Sequence, residues 1–470
     1  MPATENQSQT GASTLEQLDS SEITKLHWQI MFLSGMGFFT DAYDLFIIGV
    51  VMAILKESWK PSPTEVGLVT STSLLAAAIG ALIFGRIADM LGRKRIYGYE
   101  CVVLAVGAVL SALSPNIIWL IVFRFILGIG IGGDYPVSAT IMAEYAGKCS
   151  RGMLVSLVFA MQAAGLIFGP LIAAGLLATH MSHDIVWRNL LAFGAIPAMA
   201  VFHMRRNIHE TPRYLLAAGK QDEFNQAAGS VLGTGKEEAD KEKKEKEEKE
   251  TKRDVPFMEG FQKLVANPKL LRNLIGASAA WFLLDFAYYG NTVSSPLVLK
   301  AVTPHESLLN HTLVQLMIFT VAAAPGYFVA AFTMDKLGRK MIQCLGFGMM
   351  AASFFAMALV PNIEHLVIPF LIIYGVSYFF TEFGPNSTTF VYPSEIFPVE
   401  SRTTGHGIAS ATGKIGAFIG VFLFPILMSW HGLLAAESTA AGICVLGLLV
   451  TLALLPETKG KSLEEIAATK

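Results

Sequence analysis

Runs of about 20 mostly apolar residues, the length an α-helix needs to cross a hydrocarbon core, recur along almost the whole 470-residue chain. Twelve are expected, near residues 27–54, 64–88, 95–114, 117–146, 152–178, 185–204, 271–299, 310–333, 341–360, 365–392, 404–430 and 435–455. The expected fold is therefore an all-α integral membrane protein. Composition agrees, with 53% hydrophobic and 15% charged residues against about 25% charged in soluble domains. The 42 glycines and 31 phenylalanines suit helices packed closely in lipid. A net charge of −2 excludes little, because the charge is unevenly placed, and nothing in its pattern points to nucleic acid. Cys101, Cys149, Cys344 and Cys444 have no metal or redox spacing and read as packing residues.

Residues 1–26 are polar and lack the apolar core of a secretory signal; they read as an N-terminal tail. Basic residues then orient the chain. The turns after the second, fourth, eighth and tenth segments carry Arg93, Lys94 and Arg95, then Lys148 and Arg151, then Lys336, Arg339 and Lys340, then Arg402. The opposite turns are nearly bare of Lys and Arg; Lys56, Lys60 and Lys300 are the main exceptions. The positive-inside rule places both termini and the 205–270 stretch in the cytoplasm, as expected of a plasma-membrane protein. That stretch divides a first six-helix half (27–204) from a second (271–455), and 456–470 forms a C-terminal tail. It contains KEEADKEKKEKEEKETKRD (236–254), where acids and bases alternate without an apolar stripe, so a frayed helix or disordered linker is expected.

The halves repeat one another. GRIADMLGRKR (85–95) matches AFTMDKLGRKM (331–341) through Asp89 and Asp335, Arg93 and Arg339. Glu144 precedes Arg151 by seven residues, as Glu395 precedes Arg402, and both pairs are related by a shift of 251 residues. Repeated halves with a site at their interface are the plan of many secondary transporters. The positive-inside rule accounts for the basic residues, but not for the paired acids or the fixed spacing. Asp89 is expected to cap or pair across the inner face, making a latch that must break on opening.

Several acids stand inside the apolar runs: Asp41 and Asp44 in the first, Asp134 in the fourth and Asp285 in the seventh. A charged side chain at a bilayer centre costs about 2.5–3.5 kcal/mol even on insertion scales. Each acid has a plain structural reading, a neighbouring donor or base, but their number favours proton movement. Trp281, Asp285 and Tyr289 follow one another at steps of four and form one helical stripe. Tyr135 shifted by 251 residues falls on Asn386. Gln162 and Lys414, among alanines and glycines, correspond to within one residue of that shift. Arg124 lies eleven residues before Tyr135, about 16 Å along the helix, too far for shared ligation. A structural ion pair is its leading reading.

The D-x-x-G-R-[KR] turn in both halves, R-x-x-x-G-x-G at 124–130, and the ETPRYL (210–215) and PETKGKSLEEI (456–466) segments resemble the major facilitator superfamily. GFFTDAYDLF (37–46), GGDYPVSATIMAEYA (132–146) and the Trp281–Asp285–Tyr289 stretch resemble, more narrowly, its phosphate:proton symporter family. The resemblance spans essentially the whole membrane domain. It implies twelve helices in two six-helix halves and proton-coupled phosphate import by alternating access. Tyr135, Gln162, Trp281, Asp285, Tyr289 and Asn386 would be phosphate ligands, with Lys414 available to neutralise the anion or to pair with an acid. Asp41 and Asp134 would carry protons, Glu100 would be a further relay, and Asp44 competes with Asp41 for the role. Asp89, Arg93, Arg124, Glu144, Arg151, Asp335, Arg339, Glu395 and Arg402 would serve gating or structure. Monobasic phosphate can donate a hydrogen bond to Asp285, whereas sulfate meets it as an unrelieved like charge.

The expected partners are thus inorganic phosphate, protons and the lipid bilayer, with no cofactor or metal; the working assumption is a monomer. An organic-acid or sugar symporter on the same scaffold and a non-transporting nutrient receptor are the alternatives. No nucleophile–base set, metal cluster or phosphate-cradling loop points to an enzyme.

Overall fold

The computed structural model describes residues 14–179, 181–206, 208–232, 259–360 and 363–467, and the regular structure among them is entirely helical. Twelve helices cross the molecule: α1 (Lys25–Ser58), α2 (Pro63–Leu91), α3 (Arg93–Ala112), α4 (Ile117–Tyr145), α5 (Arg151–Ala178), α6 (His183–Arg205), α7 (Pro268–Val293), α8 (Leu308–Leu337), α9 (Arg339–Leu359), α10 (Val367–Glu395), and α11 and α12, which share the run Arg402–Leu454. The last two separate at His431 and Gly432, where φ reaches 61° at the glycine. All twelve expected segments are present.

Polar side chains at the helix starts explain several of the boundaries. Ser62 and Glu65 form a reciprocal cap on α2, with Pro63 in the first turn. Asn116 accepts from the amides of Ile118 and Trp119, both at 3.2 Å, and Asn267 caps α7 in the same way. The GRK turns end α2 and α8 at Gly92 (φ 96°) and Gly338 (φ 94°), a conformation that favours glycine.

Glycine also sets how closely the helices approach. A Cβ on Gly132 of α4 would stand 1.8 Å from the Ala77 carbonyl oxygen of α2, and one on Gly416 of α11 2.3 Å from that of Phe282 in α7. The halves meet through α2 against α11 and α5 against α8, and Gly407 lies against the Ala81 carbonyl at the first of these seams. Without a hydrophobic drive between helices in lipid, such close packing holds the bundle together. Ile118, Trp119, Ile196, Val321 and Ile368 are exposed on the perimeter, where they meet lipid. The chain is a multi-pass membrane protein.

Two helices carry π-type turns, Phe319–Ala323 in α8 and Glu382–Asn386 in α10. The second spans Pro385, which lacks an amide hydrogen, and kinks at Gly384.

The expected linker divides differently. Arg205 is the last residue of α6 and is buried, not linker. The helices Pro212–Ala217, Gln221–Leu232 and Glu259–Ala266 follow, and α7 begins at Pro268. The charged run 236–254 lies outside the described residues. The described parts of both tails, 14–24 and 456–467, lie on the same face of the bundle, where Arg213 bonds to Asp19 at 2.5 Å and to Glu464. We call this the terminal face. Cys101 and Cys444 are buried, but Cys149 is exposed on the turn after α4, so the packing reading fails for it.

Candidate substrate and proton sites

Seven residues expected to bind substrate converge at the centre of the bundle, each no more than 2% exposed. Lys414 of α11 donates to Asp285 Oδ2 (3.2 Å) and to the Tyr289 hydroxyl (2.9 Å), both on α7. Its ammonium also lies 4.3 Å from the centre of the Tyr135 ring, a cation–π contact. Gln162 donates to the Tyr135 hydroxyl at 3.1 Å, and the Trp281 ring sits 6.1 Å from that of Tyr135. Phe46 of α1 stacks on Tyr289 at 5.7 Å. Asp285 Oδ1 accepts no hydrogen bond.

Asn386 enters this set through a residue that the sequence did not single out. Tyr327 of α8 donates to Gln162 Oε1 at 2.9 Å and accepts from Asn386 Nδ2 at 2.9 Å. Asn386 donates also to Glu382, one turn earlier on α10. A continuous string of hydrogen bonds thus runs from Glu382 through Asn386, Tyr327 and Gln162 to Tyr135. Buried polar networks of this kind are specific when fully bonded, and costly when one member is not.

A second cluster lies within the first half. Arg205 donates to Asp134 from both terminal nitrogens (2.8 and 3.1 Å) and to Glu100 at 2.7 Å. The Ser138 hydroxyl donates to the same Asp134 carboxylate at 2.5 Å. The Tyr97 ring lies 4.1 Å from the guanidinium. A Cβ on Gly37 of α1 would fall 1.7 Å from Asp134 Oδ2, so glycine there makes room for the carboxylate. Asp41, one turn further along α1, shares a small gap with Glu100 and Asp134, and its Oδ2 has no partner. Asp44 faces elsewhere: its carboxylate abuts Gly194 of α6, and neither oxygen is hydrogen-bonded.

The ion pair expected of Arg124 is not formed. Its guanidinium donates to the main-chain carbonyl of Asp44 and to Ser73 Oγ, each at 3.0 Å. Asp134 is remote along α4, and its cation comes from α6 instead. Arg205 went unnoticed in the sequence because a basic residue ending an apolar run obeys the positive-inside rule without further explanation. Glu382 and Glu437 carried a usable signal, an acid within an apolar run. Glu437 of α12 is fully buried and accepts from Asn291 of α7 at 3.1 Å on both oxygens.

On the terminal face the duplicated motifs interlock. Glu144 bonds to Arg93 of its own half and to Arg402 of the other, both at 3.1 Å. Glu395 correspondingly bonds to Arg339 at 2.6 Å and Arg151 at 3.0 Å. Asp89 accepts from the amides of Thr403 and Thr404, and Asp335 from those of Gly152 and Met153. Each acid therefore caps the first turn of a helix in the opposite half, where its charge is favoured. It also pairs locally with Arg93 or Arg339. Thr211 donates to Glu144 and Thr458 to Glu395. Glu210 and Glu457 accept from the first amides of α3 and α9. Burial pushes the Glu210 carboxyl above its usual range, against the pull of Arg93. A cavity of about 1970 Å³ opens on this face beside Arg86, Arg95 and Tyr214, away from the central cluster.

A family model described as sugar (and other) transporter matches residues 30–469. The chain is 34% identical to a probable inorganic phosphate transporter 1-6 of Arabidopsis thaliana, over 97% of this chain and 96% of the relative. It is 35% identical to low affinity inorganic phosphate transporter 4 of Medicago truncatula, over 97% and 94% respectively. Among solved structures, the proton:xylose symporter XylE bound to 6-bromo-6-deoxy-D-glucose superposes with a TM-score of 0.78 at 20% identity, over 94% of this chain and 98% of that one. With twelve helices in two repeated halves and relatives matched along nearly their full length, the chain belongs to the sugar (and other) transporter family of the major facilitator superfamily.

Proposed function

We propose that this protein imports inorganic phosphate together with protons by alternating access across the plasma membrane, with both termini in the cytoplasm. The observation that carries the reading is the buried donor cluster in which Lys414 joins Asp285, Tyr289 and Tyr135, with Trp281 packed beside Tyr135 and Gln162 and Asn386 linked through Tyr135 and Tyr327. The relatives of matching length are named as phosphate transporters, which accords with that chemistry. Monobasic phosphate offers oxygens to the ammonium, amides, indole and phenols, and a proton to Asp285. A neutral sugar gives no reason to bury an ammonium at the centre.

Lys414 is held by Asp285 and Tyr289. Incoming phosphate competes for the ammonium, and its own hydroxyl satisfies the Asp285 oxygen that lacks a donor. Driving a monoanion inward against an inside-negative potential costs about 2.3 kcal/mol per 100 mV; one accompanying proton cancels the charge and a second makes import favourable. Asp134, Asp41 and Glu100 are the groups to which we assign those protons. Protonating Asp134 weakens its hold on Arg205, which ties α6 to α4. Release inward requires the terminal-face latches to open, Glu144 from Arg402 and Glu395 from Arg151.

The test is uptake of labelled phosphate into proteoliposomes under an imposed pH gradient. Uptake should rise as the external side is acidified and collapse with a protonophore. Uptake that ignores the proton gradient, or requires sodium, would overturn the proposal.

A further inference from the structure

The geometry points to Glu382 as a further proton-carrying residue of the transport cycle, one that governs whether Asn386 is free to hold phosphate. The inference rests on the proposed phosphate:proton symport and adds a titrating group in the second half.

Glu382 is 0% exposed, and no lysine or arginine pairs with it among the described residues. The titratable groups facing it are Tyr327 of α8, Tyr288 and Asp285 of α7, and Tyr378 one turn earlier on α10. None supplies a positive charge, and Asp285 supplies a negative one. The α9 backbone closes the remaining side, with Gly346 packed against Gly384. Oε2 is held by the Asn386 amide, while Oε1 accepts no hydrogen bond. An ionised carboxylate in such a place is strongly disfavoured. A proton on the group removes that cost.

Its partner makes the proton consequential. Asn386 Nδ2 serves both Glu382 and Tyr327, so the same amide must turn to bind an oxyanion. A neutral Glu382 gives up that amide readily. An ionised Glu382 holds it with a charge-assisted bond and repels the anion. Protonation from the external medium thus favours binding. Once the site opens inward and water enters, the proton leaves Oε1 for the cytoplasm, the carboxylate reclaims Asn386, and phosphate is released. The π-turn carrying both residues (Glu382–Asn386) with its kink at Gly384 is the kind of local irregularity found at functional sites.

Glu382→Gln separates titration from structure, because the amide oxygen still accepts from Asn386 but gains no proton. Phosphate binding to the purified full-length protein would be measured against pH, expressed per monobasic phosphate. Proton and phosphate fluxes would be measured together in proteoliposomes. One linked proton weakens affinity by up to about tenfold per pH unit above the pKa. Glu382→Gln should reduce the wild-type slope by one such proton, keep the low-pH affinity, and carry one proton fewer per phosphate. Glu382→Ala, lacking the acceptor, should lose affinity at every pH. A Gln variant with the wild-type slope and flux ratio overturns the inference alone. Wild-type phosphate uptake without proton flux overturns the proposed function, and the inference with it.

Discussion

The terminal face and the centre of the bundle treat the repeat in opposite ways. On the terminal face each half supplies the same parts, and each acid reaches the equivalent place in the other half: Glu144 to Arg402, Glu395 to Arg151, Asp89 to α11, Asp335 to α5. At the centre the halves have diverged. The first gathers Asp134 and Glu100 around Arg205. The second pairs Asp285 with Lys414, while Glu382 and Glu437 meet amide donors and, among the described residues, no paired cation. Closing a two-part clamp is a symmetrical task, so duplicated latches serve it. Handling an anion and protons requires more than one chemistry, and on the proposed reading the two halves contribute different parts of it.

The largest effect should come from Arg205→Met, which strands Asp134 and Glu100 without their cation. Breaking a buried pair from one side costs about 3–5 kcal/mol, so thermal unfolding in detergent should move down sharply. Adding Asp134→Asn and Glu100→Gln should restore much of the stability without restoring coupling. Full stability in Arg205→Met alone would show that the first-half cluster is not held as described.

Asp285→Asn should strike the other half. Losing a hydrogen bond to a charged group costs about 1.5–3 kcal/mol, or roughly 10–100-fold in phosphate affinity. Direct binding checks this, and an unchanged affinity would remove Asp285 from the ligand set.

Glu144→Gln and Glu395→Gln sharpen the symmetry. Each weakens one equivalent latch by about 1–2 kcal/mol, so the two should favour the open terminal face to a similar extent. Spin-label distances across that face, between α4 and α10, would report it. A large shift from one substitution with none from the other would mean that the latches are duplicated in sequence but not in function. The smallest expected effect is that of sulfate, which should leave phosphate uptake untouched while arsenate competes. Competition by a small carboxylate such as benzoate, with none by arsenate, would favour an organic acid.

Much of this was legible in the residues because lipid simplifies the code. Length and apolarity located all twelve helices, and the shift of 251 residues linked Tyr135 with Asn386 before either could be placed. What escaped were partnerships that depend on rotation about helix axes. Arg205 looked like any basic residue closing a span, and Tyr327 like any packed tyrosine. Arg124 was assigned a carboxylate and instead holds the Asp44 carbonyl and Ser73. Asp41 and Asp44 competed for one role in the sequence, yet only packing shows that Asp41 shares a gap with Asp134 while Asp44 turns to Gly194. Glu382 was visible by the same rule that picked out Asp285, but Asn386, four residues on, drew the reading.

The central claim is that proton coupling requires the Asp134–Glu100–Arg205 cluster, which stands apart from the phosphate-binding set. Asp134→Asn tests it most directly, assayed in one set of proteoliposomes for phosphate counterflow and for accumulation driven by a pH gradient. Counterflow exchanges phosphate without net proton movement and needs the Asp285 cluster intact, whereas accumulation needs the Asp134 cluster as well. The account predicts that counterflow persists and accumulation is lost. If Asp134→Asn concentrates phosphate against its gradient as the unaltered protein does, that requirement is contradicted.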